Sequence, residues 1–295
     1  MKRLIALTLM LFLTLSLLAA CSGGGSEDSS GNSQGGNSHN DGTKVGDVMT
    51  FAGYSWLVLD IQENNILVIS ENIIDLRAFD WSSYVEDRAF DSFSWEYSDV
   101  RAWLNNGFLD EFSEDEKDRI AIKKVENKDN PCLDISGDSR DSDYIPFWSE
   151  TYDKVFLLSL DEVLKYFGDS GMLNRLSQES GELWEIDDEY NENRISKMSL
   201  TKDKIEEMWR ISSVNGDDTR YNEFLYNLQE DNGKPAKWWL RTKAPMDNCV
   251  YVRDDGIIDV YGVDICQGLG EWAGEDYNSD YTIGIRPAMW ISIEP

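Results

Sequence analysis

Residues 237–295 constrain the fold most, because they read as strands that have to find partners earlier in the chain. They run KWWLRT, then CVYVRDDGIIDVYG, then an acidic stretch bearing glycines and aromatics, then GIRPAMWI. Val250 and Val252 alternate with Tyr251 and Arg253, Asp254-Asp255-Gly256 supplies residues that tolerate positive φ, and Ile257, Ile258, Val260 and Tyr261 form a return strand. Ile283 to Ile293 reads as a further strand rich in β-branched and aromatic residues. Pro287 falls early in it, where a missing N–H is tolerated at an edge or a strand start.

The other end of the chain sets an address. Met1-Lys2-Arg3 is followed by Leu4 to Leu18 without a charge, and the run closes on Leu18-Ala19-Ala20-Cys21. That apolar stretch is short and wrongly flanked for a spanning helix, and matches a lipoprotein signal over residues 1–20. Small residues admit the peptidase, and the Cys21 thiol takes the diacylglyceryl group and the further acyl chain, such as palmitate, that anchor the chain to the bacterial membrane. The alternative is an ordinary secretory peptide with a chance cysteine. Residues 21–42 are almost wholly Ser, Gly, Asn, Asp and Glu, with nothing to bury, and predict a disordered tether reaching on the order of 25 Å. An extracytoplasmic, lipid-anchored location follows as the expectation.

Charge and histidine content exclude several function classes. The formal net charge is −29, and cutting before Cys21 removes two basic residues and no acid, leaving −31. Such a field opposes nucleic acid and anionic headgroups. The single histidine, His39, lies in the tether, so the folded part has none to serve as catalytic base or metal ligand, and a Ser-His-Asp arrangement is excluded there. No phosphate-binding GxxxxGK loop and no EF-hand spacing occurs.

Residues 43–295 predict a single α+β domain with a polar insertion at about 168–235. Tyr54 to Asp60 and Ile66 to Ser70 are continuous apolar runs around a corner at Glu63-Asn64-Asn65, as expected of a hairpin buried on both faces. Residues 71–97 read as a loop with many aromatics. Ser98 or Asp99 caps a helix ending near Asn105-Asn106-Gly107, Ser113 and Glu116 have capping-box spacing for a second helix through Ile122, and Ser159 and Glu162 repeat the device after the strand Val155 to Leu158. Inside the insertion, Lys202 to Ile211 places Ile205, Met208 and Trp209 on one helical face. Cys132, Cys249 and Cys266 are odd in number, so one internal pair at most can form. Cys249 with Cys266, which flank the hairpin, is one reading; three buried thiols is the other.

GYSWLVLD, ILVIS, DVRAWLNNGFLDEFSEDEK, DKVFLLSLDEVLKYF, WWLRT, VYVRDDGIIDVYG and GIRPAMWI together resemble a bacterial surface-protein family of domains of unknown function. Members typically carry VFLLS, WWLRS and VRPALWI signatures in this order, and the likeness covers residues 46–293 apart from the insertion. The C-terminal pattern is similar to C-type-lectin-like domains, including formylglycine-generating enzymes. That similarity implies short antiparallel sheets joining the two ends of the domain, two or more packed helices and long ligand-bearing loops. It implies no shared activity. The E/Q-P-N/D and W-N-D motifs of calcium-dependent lectins are absent, and Cys249 and Cys266 lie seventeen residues apart rather than closely paired as in the formylglycine enzymes.

Candidate ligand-binding residues are Trp239, Arg241, Arg253, Asp264 and Trp272. Arg241 and Arg286 sit inside apolar strands, so each requires a carboxylate, carbonyl or solvent partner; it either fixes strand register or clamps an anion. Trp238 and Trp239 point to opposite sides of a strand, so only one can be core on a one-sided sheet, and the other is either covered by a helix or available. Asp264, Asp276, Asn278 and Asp280 offer calcium-type oxygens without a calcium motif. The expectation is therefore a non-catalytic binding or adhesion module for an extracellular glycan or protein, with no cofactor and no metal. Its rivals are a carbohydrate-active enzyme using two carboxylates and a purely structural component. Replacing the anchor thiol is expected to uncouple chain from membrane: Cys21→Ser should abolish incorporation of labelled palmitate and move the protein from the membrane fraction to the medium.

Overall fold

In the computed structural model, the structure describes residues 42–80, 94–130, 148–173, 185–212, 226–244, 248–265 and 283–293. The first three strands are β1 (Val48–Phe51), β2 (Tyr54–Gln62) and β3 (Asn65–Ser70), followed by the short β4 (Asp75–Leu76). Ala52 and Gly53 both adopt positive φ between Phe51 and Tyr54, the mirror-image turn whose twist suits a two-residue hairpin. Every residue of β3 after Asn65 is buried, as its unbroken apolar run requires.

Helix α1 (Asp99–Trp103) starts at Ser98, whose Oγ accepts the Arg101 N–H. It does not stop near Gly107 but continues through helical turns at Leu104–Phe108 and Leu109–Glu111. Asn105, read as part of a stop, spends its side chain elsewhere. Its Nδ2 donates to the Val155 carbonyl at 2.8 Å, and its Oδ1 accepts the Lys154 and Val155 N–H groups at 3.0 and 3.2 Å. Helix α2 (Glu114–Arg119) has the expected capping box but ends before Ile120, because Ile120–Ala121 is drawn into a strand, β5.

There follow β6 (Lys123–Asn127), β7 (Ser149–Asp153), β8 (Val155–Phe156), α3 (Leu160–Phe167), β9 (Glu185–Ile186), α4 (Asn191–Arg194) and α5 (Lys202–Ser212). The C-terminal set is β10 (Trp238–Lys243), β11 (Asn248–Val252), β12 (Ile258–Asp264), β13 (Gly284–Ile285) and β14 (Ala288–Ser292). One sheet has the order β1-β2-β3-β14-β5, with β8 also on β14; a second runs β4-β13-β10-β11-β12-β9; β6 and β7 form a separate ribbon. The β13–β10 pairing is parallel and the others are antiparallel, so the chain is an α+β protein with largely antiparallel sheets.

The expected strand over Ile283 to Ile293 is in fact two. Gly284–Ile285 joins the second sheet, and Ala288–Ser292 joins the first beside β3. Pro287 lies at the break, where it has no N–H to give either ladder. The polar stretch 168–235 is also less separate than its composition suggests: β9 extends the second sheet beside β12, and Arg194 is fully buried, ion-paired to Asp188 at 2.8 Å. Lys204 of α5 reaches Asp75 and Glu111 at 3.3 and 3.2 Å, which ties that helix to the body.

Trp238 and Trp239 are both at 0 % exposure, so the second sheet is covered on both faces. The Trp238 indole N–H donates to the Arg194 carbonyl, and that of Trp239 donates to the Arg77 carbonyl. Cys249 is a free, buried thiol whose Sγ donates toward the Leu240 and Thr242 carbonyls; the expected partner, Cys266, lies outside the described residues. Desolvation pushes that thiol well up, which makes it inert.

The β11–β12 corner tests this account of the fold. The Gly256 N–H donates to the Arg253 carbonyl and the Arg253 N–H to the Ile257 carbonyl, with Gly256 at φ 84°. A Cβ there would lie 1.9 Å from the Asn191 carbonyl oxygen. Gly256→Ala is expected to cost about 2–3 kcal/mol, on the order of 5–10 °C in Tm. Gly53→Ala, at positive φ but with open space around it, should cost about 1 kcal/mol in the same thermal-unfolding measurement.

Candidate functional site

Arg241 organises the site. It lies on β10 with 4 % exposure, and β10, the start of α3 and the ribbon strand β6 meet around it. Its Nε donates to Asn127 Oδ1 at 3.1 Å, its Nη1 to the Leu157 carbonyl and to Glu162 Oε2, each at 2.5 Å, and its Nη2 to the Glu126 carbonyl at 3.2 Å. Three stretches of chain, β6, the residue Leu157 and the start of α3, are thereby fixed to one planar cation on β10, as the fork geometry of guanidinium allows.

Helix α3 is placed by its own cap. Ser159 Oγ accepts the Glu162 N–H, and Glu162 Oε2 accepts the Ser159 N–H at 2.9 Å as well as the Arg241 bond. Thr242 Oγ1, one residue along β10, accepts the Leu160 N–H at 2.9 Å. Burial by itself would raise the Glu162 carboxyl, but Arg241 and Ser159 outweigh it and hold the group below its ordinary value.

These elements enclose a cleft of about 320 Å³. One wall carries Lys124, Glu126 and Lys128 from β6 and its continuation; the other carries Ser159 to Glu162, with Arg241 and Thr242 at the back. Lys128 Nζ and Asp161 Oδ2 face one another at 3.8 Å, both well exposed. The cleft thus has cationic and carboxylate groups in near balance, with no aromatic, thiol or histidine among its lining residues.

Chemically, the cleft presents fixed charges and committed hydroxyls. The Ser159 and Thr242 hydroxyls are occupied as acceptors of helix N–H groups, and Glu162 is kept ionised by a buried cation. A general acid would need the opposite environment. The carboxyl that burial does raise, Asp259, lies on β12 and does not line the cleft; its oxygens accept the Gly262 N–H and the Tyr251 hydroxyl.

The five ligand-binding candidates are not gathered in one place. Arg241 lines the cleft, but its guanidinium is bound to protein atoms and acts as a brace rather than an open anion clamp. Trp239 is in the core against Phe79 and Tyr251, at 5.6 and 6.4 Å between ring centroids, and offers no face to a ligand. Arg253 is engaged by Glu185 and Asp255 at 3.0 and 2.7 Å, which ties the β11–β12 turn to β9. Asp264 is exposed at the end of β12, opposite Asn248. Trp272, the calcium-type Asp276, Asn278 and Asp280, and Cys21 lie outside the described residues. Among the described residues no group of three or more His, Cys, Asp or Glu is placed to hold a metal ion, and no helix is long and apolar enough to cross a membrane.

Lys124, Lys128 and Asp161 were not candidates from the sequence. KKVEN does alternate in the way a half-buried strand should, but its partner strand lies more than twenty residues on. Nothing local announced that its outer side would face the start of α3.

Two sheets joined by a strand switch, with a capped helix bordering a charged cleft, define an α+β domain with largely antiparallel sheets. The chain matches the Domain of unknown function (DUF6273) over residues 63–293 and belongs to that family. No curated protein and no solved structure matches it.

The Arg241–Glu162 pair carries a pH dependence. Because the folded-state value of Glu162 is lowered, its contribution is fully present above the unfolded carboxylate value of about 4.3 and is lost as pH falls through the lower folded one. Glu162→Gln can still cap α3 but cannot carry the charge. It should lower Tm at pH 7, and the gap to the unsubstituted protein should close as the unfolding midpoints are followed below about pH 4.

Proposed function

We propose that this protein is a lipid-anchored, extracytoplasmic binding module without catalytic activity, which recognises an extracellular glycan or protein through the cleft between β6 and the start of α3. The observation that carries this reading is the state of the cleft's polar groups. The hydroxyls and the Arg241–Glu162 ion pair are committed to the scaffold, while Lys128 and Asp161, well exposed and only loosely paired at 3.8 Å, stand at the rim, able to donate and accept. A site of fixed, mixed charge orients a ligand without activating a nucleophile. The N-terminal lipoprotein pattern supports the location, and the overall acidity argues against nucleic acid as a partner.

A C-type-lectin-like core is part of the proposal. Support comes from the first sheet, in which the N-terminal hairpin β2–β3 takes β14 from the other end of the domain as its neighbour.

The test is a screen of the full-length chain in detergent against soluble cell-wall fragments and a glycan array, with Lys128→Glu and Asp161→Ala beside it. Saturable binding weakened about tenfold or more by either exposed substitution is the expected result. Turnover of any fragment, or binding indifferent to both substitutions, would overturn the reading.

A further inference from the structure

The β6–β7 ribbon presents a second surface continuous with the cleft, and its side chains follow strict alternation. Val125, Asn127, Thr151 and Asp153 are buried on the inner side, while Lys124, Glu126, Glu150 and Tyr152 face out. Trp148, one residue ahead of β7, is 61 % exposed and Tyr152 is 67 % exposed, which is unusual for rings of this size. They lie four residues apart on the same side of the chain, about 13 Å along a strand. Across the ribbon, Tyr152 is opposite Lys124 and Glu150 is opposite Glu126. Lys124 contacts both glutamates, at 3.7 Å for Glu126 and in a close ion pair with Glu150, which relieves the repulsion of two like charges placed directly opposite. Lys124 and Glu126 also line the cleft, so a ligand lying across the ribbon passes from the aromatics into it.

The geometry points to a glycan chain as the occupant, uncharged or bearing free amino groups, with pyranose rings on Trp148 and Tyr152 and its polar groups reaching the cleft rim. This deepens the binding reading above and rests on it. Outward along β7 the order is Trp148, Glu150, Tyr152, so each ring is flanked by charge. A protein interface would favour a joined apolar patch. A sugar, with an apolar C–H face and polar edges, fits separate rings interleaved with donors and acceptors. The ribbon and cleft hold carboxylates in excess of cations, and the protein carries −29, so phosphate- or uronate-rich polymers are repelled while amino groups are attracted.

The experiment is isothermal titration of the full-length chain in detergent with N-acetylglucosamine oligomers of two to six units, their de-N-acetylated forms, and polygalacturonate as the anionic control. Trp148→Ala, Tyr152→Ala and Lys128→Glu are titrated in parallel, with Tm confirming that each exposed substitution leaves the fold intact. Support is binding that strengthens with oligomer length, ignores polygalacturonate and weakens about tenfold or more in both aromatic variants. If oligomers bind and only Lys128→Glu weakens them, the ribbon inference fails and the cleft reading stands. If no oligomer binds while another cell-wall fragment does so in a Lys128-dependent way, the ligand class is wrong and the cleft again stands. Preference for the polyanion overturns the charge argument, and concentration-dependent dimerisation lost in Trp148→Ala assigns the face to a second copy instead.

Discussion

The structure depends on how the chain leaves one sheet and enters the other, and that passage runs through Arg286. Its guanidinium is buried at 3 % exposure, stacked over Trp238 and Phe167 at 5.0 and 5.2 Å, with Nε on the Ser70 carbonyl and Nη2 on that of Glu71. Residues from β10, α3 and the end of β3 are held around it. Among the described residues no carboxylate shares the hydrogen bonding, and desolvation lowers the group to about 9. A cation placed at such cost is informative: the aromatic faces and carbonyls compensate it only while both sheets keep their positions, so the two sheets are specified together.

Arg241 solves a similar problem differently, and the difference places the cleft. Its charge is met by Glu162 in a short ion pair, and its remaining donors reach backbone carbonyls of Leu157 and Glu126 and the amide of Asn127. Because the Glu162 carboxylate also completes the capping box begun by Ser159, helix initiation and ion pairing share one carboxylate. The helix start is therefore locked to β10 while its first exposed residue, Asp161, meets Lys128 at 3.8 Å on the solvent side. The rigidity of the back wall and the availability of the rim come from the same arrangement.

Much of the local structure was legible in the residues. Ser113 with Glu116 and Ser159 with Glu162 predicted capping boxes that form, and the Asp254-Asp255-Gly256 corner turns as its φ preferences demand. Those signals work because a cap or a tight turn is decided within a few residues. The signals that failed depended on distant partners. Asn105 looked like a helix stop until its amide was used by Lys154 and Val155, and the GIRPAMWI run looked like one strand because nothing within it says that its two halves pair with different sheets. The candidate site was less legible still: Arg241 was singled out for the right reason, the cost of a charge in an apolar strand, yet its partners lie on segments far away in sequence.

By itself the sequence determined that the chain is an acidic α+β protein with capped helices, a glycine-cornered hairpin and two arginines needing internal partners, since propensity, turn chemistry and desolvation are properties of single residues and their neighbours. Only the tertiary structure decided that both Trp238 and Trp239 are core, that the last strands split between two sheets, and that β6 faces the start of α3. Each of those outcomes is fixed by which elements come together, and contacts between distant segments leave no mark on the local pattern of either one.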